Sequence, residues 1–239
     1  MLISLRYKFL FIHIAKTGGT SIRSALQRYR WRDPSAWFSA ICNRMSKLWG
    51  HRIGVKIPRH AKAIAAKELL PHETFYQLFK FAFVRNPWDL QVSSWHHIRR
   101  ERPHIIPESV KTFEDFIKWK LDEDRPYHYI IDTSIELQWN YLIDLDGTPI
   151  VDFVGRYEHL VDHFEKACTK AGIVPPPLPH KRRATGRMRD YRAYYNDRLA
   201  EMIEKHFKKD IDSLGYSFDK VAPEEPMEFN LTFRQKRPQ

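Results

Sequence analysis

Runs of apolar positions alternate with helical patterns from the start of the chain. Residues 7–14 (Tyr-Lys-Phe-Leu-Phe-Ile-His-Ile) are nearly all apolar, which is typical of a parallel strand buried on both faces. After a glycine-containing stretch, apolar residues recur every three or four positions from Ile22 to Tyr29, as on the buried face of a helix. Residues 7–30 therefore predict a strand, a loop and a helix.

The alternation continues downstream. Two further short apolar runs, at 81–84 and 151–154, predict buried strands. Helices are predicted at 61–70, from Pro87 onward with Trp88, Val92, Trp95 and Ile98 on one face, at 112–121, at 158–171 and across 191–207. Residues 31–58 are aromatic, basic and irregular and give no assignment. Strands that alternate with helices predict an α/β fold, a central parallel sheet flanked by helices.

Length and charge narrow the classes of function only a little. The 239 residues, 43% of them hydrophobic, suit a single domain over 1–239 with a sizeable core. The net charge of +11 favours an anionic partner such as a nucleotide, an acidic sugar, a nucleic acid or an anionic membrane. The charge does not choose among these, and a basic protein without such a partner is equally consistent with it.

Cysteine usage and hydropathy indicate the compartment. Cys42 and Cys168 form no C-x-x-C pair, which disfavours zinc and dithiol chemistry. One disulfide has little support, and a reducing compartment is expected. The apolar stretch at 9–14 is far shorter than the ~20 residues of a membrane span, and the first residues lack the features of a signal peptide. We expect a cytoplasmic protein without a membrane span.

A glycine-rich loop follows the first predicted strand, with Lys16 ahead of Thr-Gly-Gly-Thr-Ser at 17–21. Glycines bring backbone N–H groups close to a ligand, and a helix N-terminus supplies unpaired donors and a favourable dipole. Lys16 adds a positive charge, and Thr20 and Ser21 add hydroxyl donors. The combination predicts a phosphate cradle, with an ordinary strand-to-helix turn as the alternative.

The order of residues in this loop differs from that of nucleoside triphosphatases. Their pattern, G-x-x-x-x-G-K-[ST], places the lysine after the glycines, whereas Lys16 precedes them. No strand ends in a carboxylate clearly placed to hold Mg²⁺, which phosphoryl transfer normally requires. For the transfer of a group that carries less charge, a cradle without a metal is chemically reasonable, and we predict no metal site.

Four segments together resemble the carbohydrate sulfotransferases of the heparan and chondroitin type. The chain looks like a soluble, bacterial-type member of this family. They are Phe-Ile-His-Ile-Ala-Lys-Thr-Gly-Gly-Thr-Ser at 11–21, Phe-Ala-Phe-Val-Arg-Asn-Pro-Trp-Asp at 81–89 followed by Ser93, Asp-Phe-Val-Gly-Arg-Tyr-Glu-His-Leu at 152–160, and Asp210 with Leu214-Gly215-Tyr216. The resemblance covers residues 7–218. It departs from the family pattern at Ala15, where proline is usual, and at Leu90-Gln91, where a basic residue is common.

The resemblance implies a P-loop NTPase-like sulfotransferase fold and 3′-phosphoadenosine-5′-phosphosulfate (PAPS) as the donor. The residues implied to hold the 5′-phosphosulfate are Lys16, Thr17, Gly18, Gly19, Thr20 and Ser21. Arg85 and Ser93 are implied to hold the 3′-phosphate. Arg85 follows a strand, where open α/β sheets bind ligands, and its planar fork suits a phosphate; otherwise it is a surface arginine ahead of a proline turn.

The acceptor hydroxyl must lose a proton, and a histidine with a pKa near neutral suits that task. The resemblance to heparan-type enzymes favours His60, which precedes the helix at 61–70. His96, His97 and Glu68 are alternatives, and His13 is expected to pack rather than react. Lys16 is also expected to stabilise the charge that develops on the leaving oxygen.

The basic loop, residues 181–189, carries five cations. It is consistent with a lid over the donor, a docking strip for an anionic acceptor or a solvated run of charge. Nucleic-acid binding is disfavoured because no recognised nucleic-acid module accompanies it. Trp31, Trp37 and Trp49 could stack on sugar rings or belong to the core.

The sequence therefore predicts a PAPS-dependent sulfotransferase that acts on a hydroxyl group, most simply of a carbohydrate. Two other functions stay open at this point. A nucleotide kinase or triphosphatase would share the loop architecture but would require Mg²⁺. A basic module that binds polyanions without catalysis would be retained on nucleic acid in a salt-dependent way.

Overall fold

The computed structural model describes residues 1–49, 57–179 and 186–231. In these residues a five-stranded sheet with strand order β1-β2-β3-β4-β5 forms the centre. The strands are β1 (Leu2–Ser4), β2 (Phe9–Ile12), β3 (Phe79–Val84), β4 (Phe153–Arg156) and β5 (Met227–Glu228). The three inner strands are parallel, with Phe81 opposite both Phe11 and Phe153, and confirm the predicted α/β class.

The two edge strands run antiparallel to their neighbours, and the sequence did not predict either of them. β1 pairs with β2 after a short turn in which Lys8 has a φ of 49°, so a few residues suffice to form it. β5 consists of two residues, which is too short for a periodic pattern to reveal.

Helices cover both faces of the sheet. They are α1 (Gly19–Trp31), α2 (Pro34–Trp49), α3 (Ala63–Leu69), α4 (His72–Gln77), α5 (Pro87–Glu101), α6 (Phe113–Lys120), α7 (Tyr129–Asp132), α8 (Leu160–Lys170), α9 (Asp197–His206) and α10 (Lys208–Leu214). Short 3₁₀ turns lie at Pro103–Ile105, Trp139–Tyr141, Tyr157–His159 and Tyr191–Tyr194.

Side chains of β2 and β3 alternate between two apolar layers. Leu10 and Ile12 pack with the aliphatic and aromatic residues of α3 and α4 on one face, whereas Phe9 and Phe11 pack with α1 and α8 on the other. A third apolar cluster lies behind α5 and contains all four side chains of its predicted buried face. The apolar layers hold the ends of β2 and β3 at fixed positions beneath the loops that follow them.

Local signals explain where several elements begin. The Asn86 side chain accepts hydrogen bonds from the N–H groups of Trp88 and Asp89 and so caps α5, with Pro87 at the first helical position. Thr112 and Asp115 form the predicted capping box of α6.

Other boundaries differ from the prediction. The strand expected at 151–154 is β4, which begins two residues later, and the helix expected at 158–171 begins with a 3₁₀ turn. The single helix expected across 191–207 is a 3₁₀ turn followed by α9, because the Asn196 side chain accepts from the N–H of Leu199 and starts a new helix. Part of the unassigned 31–58 stretch forms α2. Within the described residues, Cys42 and Cys168 are buried and form no disulfide.

Candidate functional site

A cavity of about 1050 Å³ opens beside the carboxyl ends of β2 and β3. Nearly all predicted site residues lie in its wall, and these are Lys16, Gly18, Gly19, Thr20, Ser21, His60, Arg85 and Ser93. The structure thus brings the glycine-rich loop, the arginine after β3 and the favoured histidine to one site. We call the part formed by the loop and His60 the loop end, and the part around Arg85 the arginine end.

Thr17 has a different position from its neighbours in the loop. Its side chain is fully buried, and its hydroxyl donates to the carbonyl oxygen of Ile14 at 3.1 Å. Thr17 therefore fixes the shape of the loop from behind, and its side chain does not line the cavity.

Glycine is required at the start of α1. Gly18 has a φ of 80° and forms the N-cap, a left-handed conformation that side chains other than glycine rarely adopt. A Cβ at Gly19 would lie 2.1 Å from Cδ2 of His13, so only glycine allows the His13 ring to rest there. The first N–H groups of a helix have no partner within it, and those of α1 begin at this cavity wall.

Side chains and a backbone oxygen hold the Arg85 guanidinium in place. Its Nε donates to Oδ2 of Asp89 at 2.7 Å, and its Nη1 donates to the carbonyl oxygen of Lys16 at 3.0 Å. The guanidinium carbon lies 3.8 Å from the ring centroid of Tyr157, a cation–π contact. Gln138 pairs with the backbone of Arg85 through both its amide atoms, at 2.9 and 2.8 Å. Arg85 is 2% exposed and rigidly positioned.

The described part of the basic loop reaches this end of the cavity. Arg187, Met188 and Arg189 line the wall, and Arg187 forms an ion pair with Oδ1 of Asp89. Asp89 thereby holds two arginines. A smaller cavity of about 370 Å³ shares Arg85 and Arg187 with the larger one. Residues 181–185 of the predicted loop lie outside the described residues.

His60 lies at the loop end, half-buried, with its Nδ1 2.9 Å from the carbonyl oxygen of His13. A carbonyl only accepts, so Nδ1 carries the proton and Nε2 keeps a lone pair. Burial lowers the pKa of His60 to about 4, with a smaller contribution from the charge of Arg59. His60 is therefore neutral near pH 7 and can accept a proton at Nε2.

The alternative bases differ in position. His97 lines the cavity, and its Nδ1 is 3.5 Å from Oε1 of Glu101. His96 is not part of the described wall, and its Nε2 is 2.8 Å from the hydroxyl of Tyr194. Glu68 is exposed on α3 and also lies outside that wall.

His13 packs as expected. Its ring is 4% exposed, and its centroid lies 4.6 Å from that of His60. Burial, followed by the charges of His60 and Arg59, lowers its pKa to about 2, so it stays neutral over the physiological range.

Sequence reasoning missed a polar network around Lys120 that reaches the cavity wall at Ser94 and Ser134. Lys120 is fully buried, and its ammonium donates to Oε1 of Gln91 at 2.6 Å and to Oγ of Ser94 at 3.0 Å. The Ser94 hydroxyl lies 3.2 Å from that of Ser134. Burial, and next the charge of Lys16, holds the pKa of Lys120 well below its usual value. A lone lysine at the end of an amphipathic helix gives no signal of this position.

Tyr157 and Asp89 lie within the family-like segments, but the resemblance implies no role for them. The contact of Tyr157 with Arg85 and the ion pair of Asp89 with Arg187 join residues far apart along the chain, so they leave no local sequence pattern, whereas the Arg85–Asp89 pair has a spacing of four residues across the start of α5. Within the described residues, no group of three metal-ligating side chains is found, and no helix there has the length and apolar character needed to cross a membrane.

Comparison with known proteins adds one finding to this geometry. A family model with the description sulfotransferase family matches residues 1–217. No curated protein and no solved structure matches the chain.

Proposed function

The chain belongs to the sulfotransferase family, and from this membership we propose that it transfers the sulfuryl group of PAPS to a carbohydrate hydroxyl. Sulfuryl transfer follows from the family itself. The identity of the donor, the class of acceptor and the catalytic base are the proposed parts. The observation that supports the donor is that Lys16 and Arg85 line one cavity, with Arg85 Nη1 3.0 Å from the Lys16 carbonyl oxygen.

The two ends of the cavity suit the two anionic groups of PAPS. At the loop end, the backbone N–H groups of α1 and the charge of Lys16 would hold the 5′-phosphosulfate. At the arginine end, Arg85 and Ser93 would hold the 3′-phosphate, with Arg187 and Arg189 beside them. Guanidinium groups are the strongest side-chain partners for phosphate. A nucleotide without the 3′-phosphate would leave the arginine end unused.

The transfer step requires one base and one stabilised leaving group. The acceptor oxygen forms a bond to sulfur, while the bond between sulfur and the bridging oxygen of the 5′-phosphate breaks. The electron pair stays on that oxygen, and the hydroxyl proton passes to Nε2 of His60. Lys16 stabilises the charge on the leaving oxygen, and 3′,5′-bisphosphoadenosine is the nucleotide product.

A carbohydrate acceptor is supported by the composition of the cavity wall. Besides the residues assigned to the donor, charged, hydroxyl and aromatic side chains line it, and they include Arg59, His97, Glu101, Arg102, Tyr129 and Thr133. Sugar hydroxyl groups donate and accept hydrogen bonds, so they suit a wall that offers both kinds of partner. The aromatic ring of Tyr129 lies 6.3 Å from that of His60, centroid to centroid.

Thermal-shift measurements with three nucleotides test the proposal. A ligand that binds the native state raises Tm, so 3′,5′-bisphosphoadenosine should raise it more than AMP, and ATP with Mg²⁺ should have little effect. Equal shifts with the bisphosphate and AMP would refute the assignment of a 3′-phosphate site. A larger shift with ATP and Mg²⁺ would favour a nucleotide kinase or triphosphatase. Incubation with radiolabelled PAPS and a panel of glycans, lipids and small alcohols then tests the acceptor class.

A further inference from the structure

Helix α2 turns its most apolar stripe toward the solvent. Trp37, Phe38, Ile41 and Leu48 lie on one side of the helix and are 55%, 71%, 55% and 75% exposed. A surface helix normally buries such a stripe against the core. Trp31, at the end of α1, is 53% exposed and extends the patch. We call these five side chains the α2 surface.

The α2 surface is firmly attached at its start. Asp33, which immediately precedes α2, is 1% exposed and accepts hydrogen bonds from the hydroxyls of Ser4 and Ser35, both at 2.6 Å. The indole N–H of Trp37 donates to the carbonyl oxygen of Trp31 at 2.8 Å, and the two ring centroids are 5.6 Å apart. The exposed aromatic side chains are therefore presented in a defined arrangement.

The helices that carry this surface are basic. Residues 19–49 contain six lysines and arginines and one acidic residue, Asp33, a surplus of five positive charges. Arg28, Arg32 and Arg44 are exposed on or beside α1 and α2.

We propose that the α2 surface docks on an anionic lipid bilayer. Amphipathic helices with aromatic and aliphatic residues on one side and basic residues around them lie in the bilayer interface in this way, and tryptophan favours that depth. A second copy of the chain would bring two strongly positive segments together, which charge repulsion opposes. Nucleic acid is disfavoured because Ile41 and Leu48 have no ring to stack on a base. The inference does not depend on the proposed donor or acceptor.

Vesicle co-sedimentation of the full chain tests the docking surface. We expect binding to vesicles of phosphatidylcholine with about a third phosphatidylglycerol, weak binding to phosphatidylcholine alone, and loss of binding at high salt. The triple variant Phe38→Gln, Ile41→Gln, Leu48→Gln keeps good helix formers and should bind at least about tenfold more weakly. Substituting Arg28, Arg32 or Arg44 by Gln should each weaken binding about fivefold.

Matched controls separate the surface from general effects. Leu145, Val174 and Val221 are 92%, 78% and 86% exposed elsewhere on the molecule, so the corresponding triple Gln variant should bind vesicles like the natural chain. The conservative variant Phe38→Leu, Ile41→Leu should also keep binding, and circular dichroism should show an unchanged helix content in all variants.

Four results would overturn the proposal. These are equal binding to neutral and anionic vesicles, no binding to either, unchanged binding of the α2 triple variant, and loss of binding in the control triple variant. Two further assays would identify the alternative partners, a second copy of the chain and nucleic acid. A dimer in sedimentation velocity that the α2 triple variant abolishes would assign the surface to self-association, and retention on DNA or RNA that the same variant loses would assign it to nucleic acid.

Discussion

The two ends of the large cavity hold their cationic groups in different ways. At the loop end, the geometry comes from the backbone, with two glycines, the start of α1 and a carbonyl oxygen that orients His60. At the arginine end, the geometry comes mainly from side chains, since Asp89 binds both Arg85 and Arg187 and Tyr157 lies against the Arg85 guanidinium, which also donates to the Lys16 carbonyl oxygen.

This difference predicts that the two ends of the cavity contribute to different steps. The loop end is formed by the fold alone, so a ligand finds its N–H donors already in position, and changes there should affect the chemical step. At the arginine end, Arg85 already has partners within the protein, so a phosphate bound there, as proposed, would share Arg85 with the Asp89 carboxylate, and changes there should affect binding and stability. Substitutions at the two ends distinguish these roles.

Replacing His60 by Ala should lower kcat by roughly 10²–10⁴-fold, the usual contribution of a general base. Because His60 is not expected to contact the nucleotide phosphates, the affinity for 3′,5′-bisphosphoadenosine measured by calorimetry should stay nearly unchanged. His96→Ala, outside the described cavity wall, should leave kcat intact. Full activity in His60→Ala together with a large loss in His97→Ala would move the role of base to His97.

Replacing Lys16 by Met should lower kcat by about a hundredfold, because the leaving oxygen loses its stabilising charge. The effect on the dissociation constant of the bisphosphate product should be smaller than the effect on kcat. Lys118→Met removes a lysine from an exposed ion pair with Glu114 and should change neither. If only the nucleotide affinity were lost, Lys16 would act in binding alone, which would contradict the proposed difference between the two ends.

Replacing Arg85 by Lys should weaken binding of 3′,5′-bisphosphoadenosine by roughly tenfold to a hundredfold, the range for hydrogen bonds to a charged group. Lysine keeps the charge but cannot form a planar fork with a phosphate. Calorimetry should show that the preference for the bisphosphate over AMP shrinks by the same factor. Arg100→Lys, on the exposed last turn of α5, serves as the control, and an unchanged preference in Arg85→Lys would contradict the assignment.

Replacing Asp89 by Asn should lower the free energy of unfolding by about 2 kcal/mol, or roughly 4–8 °C in Tm, because two arginines lose their carboxylate. A bound phosphate would supply the missing negative charge, so 3′,5′-bisphosphoadenosine should raise Tm more in this variant than in the natural chain. Asp190→Asn, from an ion pair about half exposed, should have little effect on Tm. An equal nucleotide shift in both proteins would show that the ligand does not reach Arg85.

Changes of pH near neutrality should leave the protonation state of His60 almost unchanged, which is the smallest effect expected here. Its pKa is lowered from 6.5 to about 4, so the protonated form is populated only as the pH falls through that value. NMR titration of labelled histidine, assigned with His60→Asn, should give a midpoint near 4, whereas a midpoint near 6.5 would show a solvated ring. The unfolded chain takes up this proton at higher pH, so folding should lose stability from pH 6.5 downward.

The central sheet was predictable because its inner strands are buried on both faces. The runs around Phe11 and Phe81 are apolar at consecutive positions, and burial dominates every other preference there. The edge strands are too short to show a period. The helix across 191–207 was predicted as continuous because its apolar spacing persists, but the side chain of Asn196 caps a new helix within it.

The residues of the cavity wall were predictable only where a functional side chain comes soon after a buried strand. Lys16 and Arg85 each come soon after a buried strand, and parallel strands bring their carboxyl ends to one edge. Arg187 and Lys120 come from segments far along the chain from their partners, Asp89 and Gln91. Nothing in the sequence around Arg187 or Lys120 indicates which residue each will contact. Contacts of this kind depend on the packing of complete elements.

His13 has two contacts at the loop end. Its carbonyl oxygen accepts from Nδ1 of His60, and its ring fills the space that the missing side chain of Gly19 leaves. A side chain at position 13 that no longer fits beside Gly19 would shift the backbone that carries this carbonyl, so the proposed base and the proposed donor loop would be disturbed together. The same linkage would constrain the history of the enzyme, because positions 13, 19 and 60 could change only in compatible combinations.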